Sequence, residues 1–425
     1  VSLPAWVKNA LLVLTSFAFT VAVIELATSL YLVRLLPLKL HAALPRGVRV
    51  LAQSSKRGVV PRDYVAILGD SYAQGSGDWL LEVDQNANPP FHSAHVLHER
   101  SGRDVVSFGA SGAGSLRALV TEPVAGLRYL DRLPLLRPGP PSDILVYFYE
   151  GNDLVDNALD IRLRYQNRYD PARLRDRSYF RSFIEQAAIA ETPIGRDAAQ
   201  VFPWDDLILV RTVIRMVGAT LLHGWPEPRP TTWTPGRVNR AWIAGRQQAI
   251  PDGLQSPALE LDDAEIELGE YVFGESLNYL RAAFPTARIG VVYLPSPLSS
   301  YRLASDEVVY QAQIDDDGDG QYEDHQGTAP AALVARRSDA ICAAVRAFAE
   351  REGVGFRDAR LALWPQAAAQ AIHGPRDWKH FNRVGHEALA GVDQQLLDAL
   401  ARGHDVLGAC GSLVAWQTQA PGASP

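Results

Sequence analysis

Cysteine is nearly missing from this chain of 425 residues, where only Cys342 and Cys410 occur. They form no Cys-x-x-Cys pair and no metal-site spacing, which excludes dithiol redox chemistry and cysteine-based zinc sites. Two thiols leave two outcomes open, one disulfide in an exported domain or two free thiols. Basic blocks are lacking as well. A formal net charge of −7 with no Lys/Arg cluster argues against nucleic acid as a partner. No internal repeat is present. What remains is ordinary for a folded protein, with 47% hydrophobic and 21% charged residues, enough for one large domain or two average ones.

The N-terminus departs from that pattern. Ala10 to Val33 is apolar except for Glu25 and small hydroxyl residues, and about 20 such residues span a bilayer core. The run passes straight into Tyr31, Arg34 and Lys39 without a small-residue cleavage site, so it reads as an uncleaved single-pass anchor. Glu25 is costly inside a membrane and is expected to snorkel, stay protonated or face a partner helix. Lys8 precedes the run, whereas Arg34, Lys39, Arg46 and Arg49 follow it. The charge rule alone would therefore keep the large domain in the cytoplasm.

Beyond the anchor, short apolar runs alternate with helical stretches. Tyr64–Leu68, Asp104–Phe108, Ile144–Tyr149, Arg288–Leu294 and Gly355–Asp358 read as strands, and Ala331–Glu352 and Arg383–Ala401 as helices. That alternation predicts an α/β fold with a parallel sheet covered on both faces. The divisions are a tail (1–9), the anchor (10–33), a Pro/Leu/Arg-rich stalk (34–60), the α/β domain (61–403) and a C-terminal tail (404–425). A mostly helical insertion (154–280) interrupts the domain and is expected over the active-site edge, where specificity resides. It holds an apolar helix at Leu207–Leu222, too short and too charged to span a membrane. It also carries Trp204, Trp225, Trp233 and Trp242.

Three motifs follow directly on three of these strands: Gly69-Asp-Ser71, Ser107-Phe-Gly-Ala-Ser-Gly112 and Gly151-Asn-Asp153. In an open parallel sheet, ligands bind beyond the carboxyl ends of the strands, so all three share one edge. Ser71 is a nucleophile only if a base takes its proton. Asp377-Trp-Lys-His380 supplies one: at this spacing the carboxylate and the ring share a face, and Asp377 can hold the His380 imidazole in one tautomer. His373 and His386 are the alternative bases, and neither has an Asp three positions before it. Fixed donors for a developing oxyanion are the N–H of Ser71, the N–H of Gly112 and the Asn152 side-chain amide. There is no Gly two positions after Ser71, so this is not the elbow of the α/β-hydrolases. The glycines at 109–114 lack the lysine of a phosphate-binding loop.

In order and spacing, the four segments resemble blocks I, II, III and V of the SGNH (GDSL) hydrolase superfamily. Ser107 departs from the pattern, since many members carry Asn there, and the insertion is longer than in minimal members. The resemblance implies a flavodoxin-like three-layer α/β/α sandwich, with Ser71 as nucleophile, His380 as base, Asp377 as its partner, and Gly112 and Asn152 as oxyanion donors. An apolar helix with a late Glu also resembles the anchor of a bacterial subset. That likeness implies an inner-membrane protein with a periplasmic catalytic domain, acting on O-acyl groups of envelope or exported polysaccharide. The expected substrate is an acylated carbohydrate or a small ester. The reaction is ester hydrolysis, with O-acetyl transfer by the same residues and a silent polysaccharide-binding or assembly protein as alternatives. This chemistry needs no cofactor. Asp315, Asp317 and Asp319, with Gly320, match the start of a calcium loop, although Gln326 stands where its closing Glu belongs. Any calcium there would be structural.

Overall fold

The computed structural model describes residues 4–44, 46–78, 86, 88, 92–133, 135–190, 192, 195–196, 207–222, 233–314 and 323–419. Five apolar runs build its central sheet: Val65–Leu68 (β1), Val105–Ser107 (β2), Asp143–Tyr149 (β3), Arg288–Leu294 (β4) and Gly355–Asp358 (β5). All neighbours pair in parallel, in the order β2-β1-β3-β4-β5. This is the flavodoxin-like order, with its switch point at β1 and β3. The strands are buried on both faces, so alternate residues feed two cores. Along β3, Ile144, Val146 and Phe148 join one core, and Leu145, Tyr147 and Tyr149 the other.

Helices cover both faces of the sheet. The α-helices, on and off the sheet, include Ala5–Ala27 (α1), Ser71–Gln74 (α2), Ser93–Ser101 (α3), Glu122–Leu130 (α4), Asp153–Leu159 (α5), Ile208–Leu222 (α6), Asp263–Ala283 (α7), Ala331–Glu352 (α8), Arg360–Ala369 (α9), Arg383–Arg402 (α10) and Leu413–Thr418 (α11). α4, α5, α7 and α8 pack on the first core through residues such as Val124, Leu154, Phe273 and Ile341. α3, α9 and α10 pack on the second through Leu97, Leu363 and Leu396. α7 opens with a reciprocal cap, in which Asp262 accepts the Glu265 N–H at 2.8 Å and Glu265 accepts the Asp262 N–H at 3.0 Å. The fold is the expected α/β sandwich.

Three segments are more tightly built in than the sequence suggested. The expected stalk, 34–60, folds back as short helical turns. Leu44, Val48, Leu51, Ala52 and Val59 are buried there against Tyr129, Leu130 and Leu133, because its apolar residues recur at turn spacing and find an unfilled face of α4. The expected tail, 404–425, is docked up to its last described residue. Leu413 and Trp416 are buried beside Trp364 and Ala335, with the two indoles stacked at 4.8 Å. The insertion, 154–280, is several pieces. α5, α7 and the helix Arg177–Phe183 are parts of the first layer. The hairpin Arg240–Ile243/Arg246–Ala249 adds to the second core through Ala241 and Ile243. Trp233 also packs against that core, and Trp242 lies beneath the Arg302 guanidinium at 5.3 Å. Trp204, Trp225 and the acidic stretch Asp315, Asp317 and Asp319 lie outside the described residues.

The anchor run forms a helix over Ala5–Leu35, long and apolar enough to cross a membrane. Trp6, Leu12, Phe17 and Phe19 point outward from it. Glu25 is buried, and of its three expected fates the structure displays the partner helix. Its carboxylate oxygens accept the N–H groups of Leu209 at 2.8 Å and Val210 at 3.1 Å, capping α6.

Cys342 on α8 and Cys410 before α11 form a disulfide, at a sequence separation of 68. Of the two outcomes left open above, the structure has the bridge. A loop of that length restricts the unfolded chain considerably. Replacing both cysteines by Ser is expected to lower the unfolding free energy by about 2–4 kcal/mol. Urea midpoints of the oxidised parent and the double variant measure this, and equal midpoints would show that the bridge contributes nothing.

Candidate active site

β1 ends at Leu68, and the chain leaves the sheet in one sharp turn. Gly69 has φ +150, and a Cβ there would lie 2.9 Å from Tyr147 Cβ and 3.0 Å from Tyr147 O, so only glycine fits. Asp70 then caps α2, its carboxylate accepting the Tyr72 N–H at 2.9 Å. Ser71 becomes the first residue of α2, at the carboxyl edge of the sheet and only 5% exposed.

The loop after β2 closes on this turn. At Gly109 a Cβ would meet Gln74 N at 2.0 Å, a backbone approach closed to any other residue. Ala110 N–H donates to Gly69 O at 3.0 Å, and Ser111 N–H to Gln74 Oε1 at 2.9 Å. The Ser107 hydroxyl donates to Ala73 O, which ties the loop to α2.

His380 comes from the loop between α9 and α10. The Ser71 hydroxyl donates to His380 Nε2 at 2.8 Å, and His380 Nδ1 donates to Asp377 Oδ2 at 2.7 Å. Asp377 Oδ1 also accepts the N–H of Lys379 at 2.8 Å and of His380 at 3.3 Å. Burial alone would raise the Asp377 carboxyl. The ring hydrogen bond, the charge of His380 and the two backbone donors outweigh it and hold the group below the ordinary carboxylate range. The ring therefore carries its proton on Nδ1 and offers the Nε2 lone pair to Ser71. Such a chain lowers the cost of taking the proton from the hydroxyl as it attacks.

The other sequence-expected residues stand around this chain. Asn152 follows β3 and Gly112 follows β2, the two neighbours of β1, so the strand that leads to Ser71 is flanked by the strands that lead to both. Asn152 is 9% exposed, and its Oδ1 has no hydrogen-bond partner among the described residues. Gly112 sits on an exposed turn at φ +61. His373 and His386 lie apart from Ser71. His373 Nδ1 pairs with the Tyr301 hydroxyl at 3.1 Å, and His386 Nε2 with Ser76 O at 3.3 Å. Burial pushes His373 down to about 3 and His386 to about 4. Both rings are neutral supports.

Sequence reasoning missed the residues that hold the two halves together. Asp78 is buried, and its carboxylate accepts the N–H groups of Arg376, at 3.1 Å, and of Asp377. The Tyr72 hydroxyl donates to Lys379 O at 2.8 Å, while its ring lies 5.3 Å from His380 and 4.8 Å from Phe381. No short motif marks either residue, and the one signal is their position in the stretch that begins at Ser71. Asp70 and Asp153 add a buried acidic pair beneath the turn. Burial pushes both carboxyls up, and for Asp153 the charge of Asp70 adds to it. Among the described residues, the one cluster of metal-ligand type is Cys342, Asp358 and Cys410, whose sulfurs are already joined.

No family model and no curated protein matches the chain. Among solved structures it aligns with an extracellular lipase from Streptomyces rimosus, at 13% identity over 79% of this chain and 99% of that one, TM-score 0.35. It also aligns with phospholipase A1 from Streptomyces albidoflavus NA297, at 12% identity over 79% and 99%, TM-score 0.33.

Two outcomes are expected from this geometry. A histidine whose folded pKa is depressed contributes stability that is full above its unfolded value, 6.5, and fades as pH falls toward about 3 for His373 and about 4 for His386. In the protein with ring-labelled histidine, the resonances of these two should therefore stay fixed between pH 7.5 and pH 5 (about the mid-range of ordinary histidine titration). An inflection near 6.5 in either would contradict their burial as neutral rings. Separately, Asp78→Ala leaves two N–H groups without their acceptor. It should cost about 1–3 kcal/mol in urea unfolding, and an unchanged midpoint would remove Asp78 from the framework.

Proposed function

We propose that the chain is a membrane-anchored serine acyl-ester enzyme of the SGNH type. The observation that carries the reading is the hydrogen-bonded chain Ser71–His380–Asp377, at 2.8 and 2.7 Å, assembled from segments 309 residues apart in sequence. Structural need alone does not account for a nearly buried serine hydroxyl aimed at an imidazole that a carboxylate orients.

In this reading Ser71 Oγ attacks the ester carbonyl carbon while His380 Nε2 takes its proton. The carbonyl oxygen becomes an oxyanion, with the N–H of Ser71, the N–H of Gly112 and the Asn152 amide as its donors. The position of Asn152, nearly buried at the start of α5 in the turn that follows β3, the strand next to β1, supports that part. Collapse breaks the ester C–O bond, and His380 returns the proton to the leaving alcohol. A water, deprotonated by the same ring, then releases the acyl group from Ser71 as a carboxylic acid. If a sugar hydroxyl takes the place of water, the same steps transfer the acyl group.

The substrate we propose is an O-acyl group on a cell-envelope or exported polysaccharide, with the domain on the periplasmic side of the inner membrane. The disulfide supports that side, since such bonds persist in oxidising compartments. The opposing charge count weakens once its partners are considered. Arg34 bonds Arg57 O, Lys39 bonds Asn86 Oδ1 and Arg49 bonds Leu44 O, so these cations serve the folded domain.

The test is p-nitrophenyl acetate turnover by the full chain, with and without an acetylated or acetyl-accepting polysaccharide. Ser71→Ala should lose on the order of 10⁶-fold in kcat, Asp377→Asn about 10⁴-fold and Asn152→Ala about 10²–10³-fold. Acetate released to water supports the hydrolase. Acetate recovered on the glycan moves the assignment to the transferase. Turnover that survives Ser71→Ala, or no turnover on any acyl ester tried, overturns the reading.

A further inference from the structure

Helix α6 has its polarity reversed for a surface helix. Val213 is 47% exposed, Ile214 65% and Val217 52%, and their spacing places them on adjoining positions of one outward stripe. Its arginines lie off that stripe and hydrogen-bond to the protein, Arg211 half-buried and Arg215 still exposed. Arg211 Nη1 donates to the Tyr129 hydroxyl at 2.6 Å, and Arg215 Nη1 to Leu44 O at 3.2 Å. Ile208 and Thr212 of the same helix are buried on its inner side. A helix facing water would carry charge outward and bury its valines.

The neighbour of this helix is the anchor. Glu25 caps the first turn of α6 with both carboxylate oxygens, which satisfies two N–H groups left open at any helix start and sets a negative charge at the positive end of its dipole. From Ala5 to Glu25 the anchor rises about 30 Å at 1.5 Å per residue, close to the hydrocarbon thickness of a bilayer. Taking α1 itself, from Ala5, as the span places Glu25, and with it the start of α6, at the membrane boundary rather than inside it as the run 10–33 implied. Beyond Glu25 the anchor still points Leu26, Leu30, Tyr31, Leu32 and Leu35 outward. Two apolar surfaces thus lie side by side at one level.

We propose that α6 is a second membrane element, lying in the interfacial plane of the bilayer that holds α1, with Val213, Ile214 and Val217 sunk into the acyl boundary. The inference rests on reading α1 as a membrane anchor. It gives the anchor's one buried acid a structural task, docking an in-plane helix, and assigns the lipid boundary to a stretch that otherwise exposes valine and isoleucine to water.

The test uses the full chain reconstituted in phosphatidylcholine/phosphatidylglycerol vesicles, with the native disulfide closed. An environment-sensitive dye is attached at Val217→Cys, with Ile214→Cys as an independent second position. Leu14→Cys serves as the anchor control and Ala401→Cys, exposed at the end of α10, as the aqueous control. Nitroxide placed high on the lipid acyl chains should quench dye at 217 and 214 severalfold more than at 401, and aqueous iodide should quench it severalfold less. If dye at 217 and 214 follows 401 while 14 stays lipid-quenched, the proposal fails and the anchor stands. If 217 and 214 are shielded from iodide but untouched by the lipid nitroxide, protein covers the stripe, a second copy included, and the proposal also fails. If dye at 14 is not lipid-quenched, the anchor reading fails and takes the proposal with it.

Discussion

The site depends on one contact between two loops. The stretch that follows Ser71 and the loop that precedes α10 are joined by hydrogen bonds from side chains to backbone groups. Asp78 holds two N–H groups of the second loop, Tyr72 holds the Lys379 carbonyl, and Ser76 O meets His386. Residues 309 apart have no local reason to meet, and closing so long a loop is opposed by chain entropy. Side chains anchored on main-chain groups offset that cost and leave little slack. The imidazole is placed by the loop that carries it, and the loop is placed by the neighbours of Ser71. Ser71 and His380 therefore move as one body, and their hydrogen bond does not have to hold the loops together by itself.

A second buried network steadies the far side of the sheet edge. Glu150, just after β3, accepts from Ser296 N–H at 2.8 Å, from Ser338 Oγ at 2.7 Å and from the Tyr293 hydroxyl. Arg360 lies fully buried between Asp358 and Asp339, at 2.9 and 3.0 Å, and also donates to Ser338 Oγ. A buried charge is tolerated when paired and fully hydrogen-bonded, and removing one partner is costly. The network sits two residues before Asn152 in the chain and joins β3, β4, α8 and β5. Through Glu150 it reaches the turn that carries Asn152 and the start of α5.

Much of this was legible in the sequence. Strands buried on both faces are continuous apolar runs, so β1 and β3–β5 could be placed almost to the residue, and a motif after each of three strands located the edge that bears the site. The supporting residues were not legible. Asp78 and Tyr72 act on main-chain groups, which every residue has, so no partner sequence marks them. The segment 34–60 looked like a stalk because its mix of Pro, Leu and Arg shows no long run of either period, yet its leucines and valines sit at turn spacing and find a vacant apolar face on α4. The fate of Glu25 needed the position of a helix start nearly two hundred residues away. In each case the deciding contact is tertiary, between groups that carry no local pattern.

The docking of 34–60 has a mechanical meaning. A domain on a loose tether sweeps a volume above the bilayer and meets polymers at any height within it. Here the chain passes from the anchor into turns that are buried in the domain itself, and Glu25 bolts that junction from the other side. Tilt and elevation are then set by packing. If α1 spans a bilayer as proposed, what remains is lateral drift in two dimensions and rotation about α1, and the site would keep a constant height above the lipid.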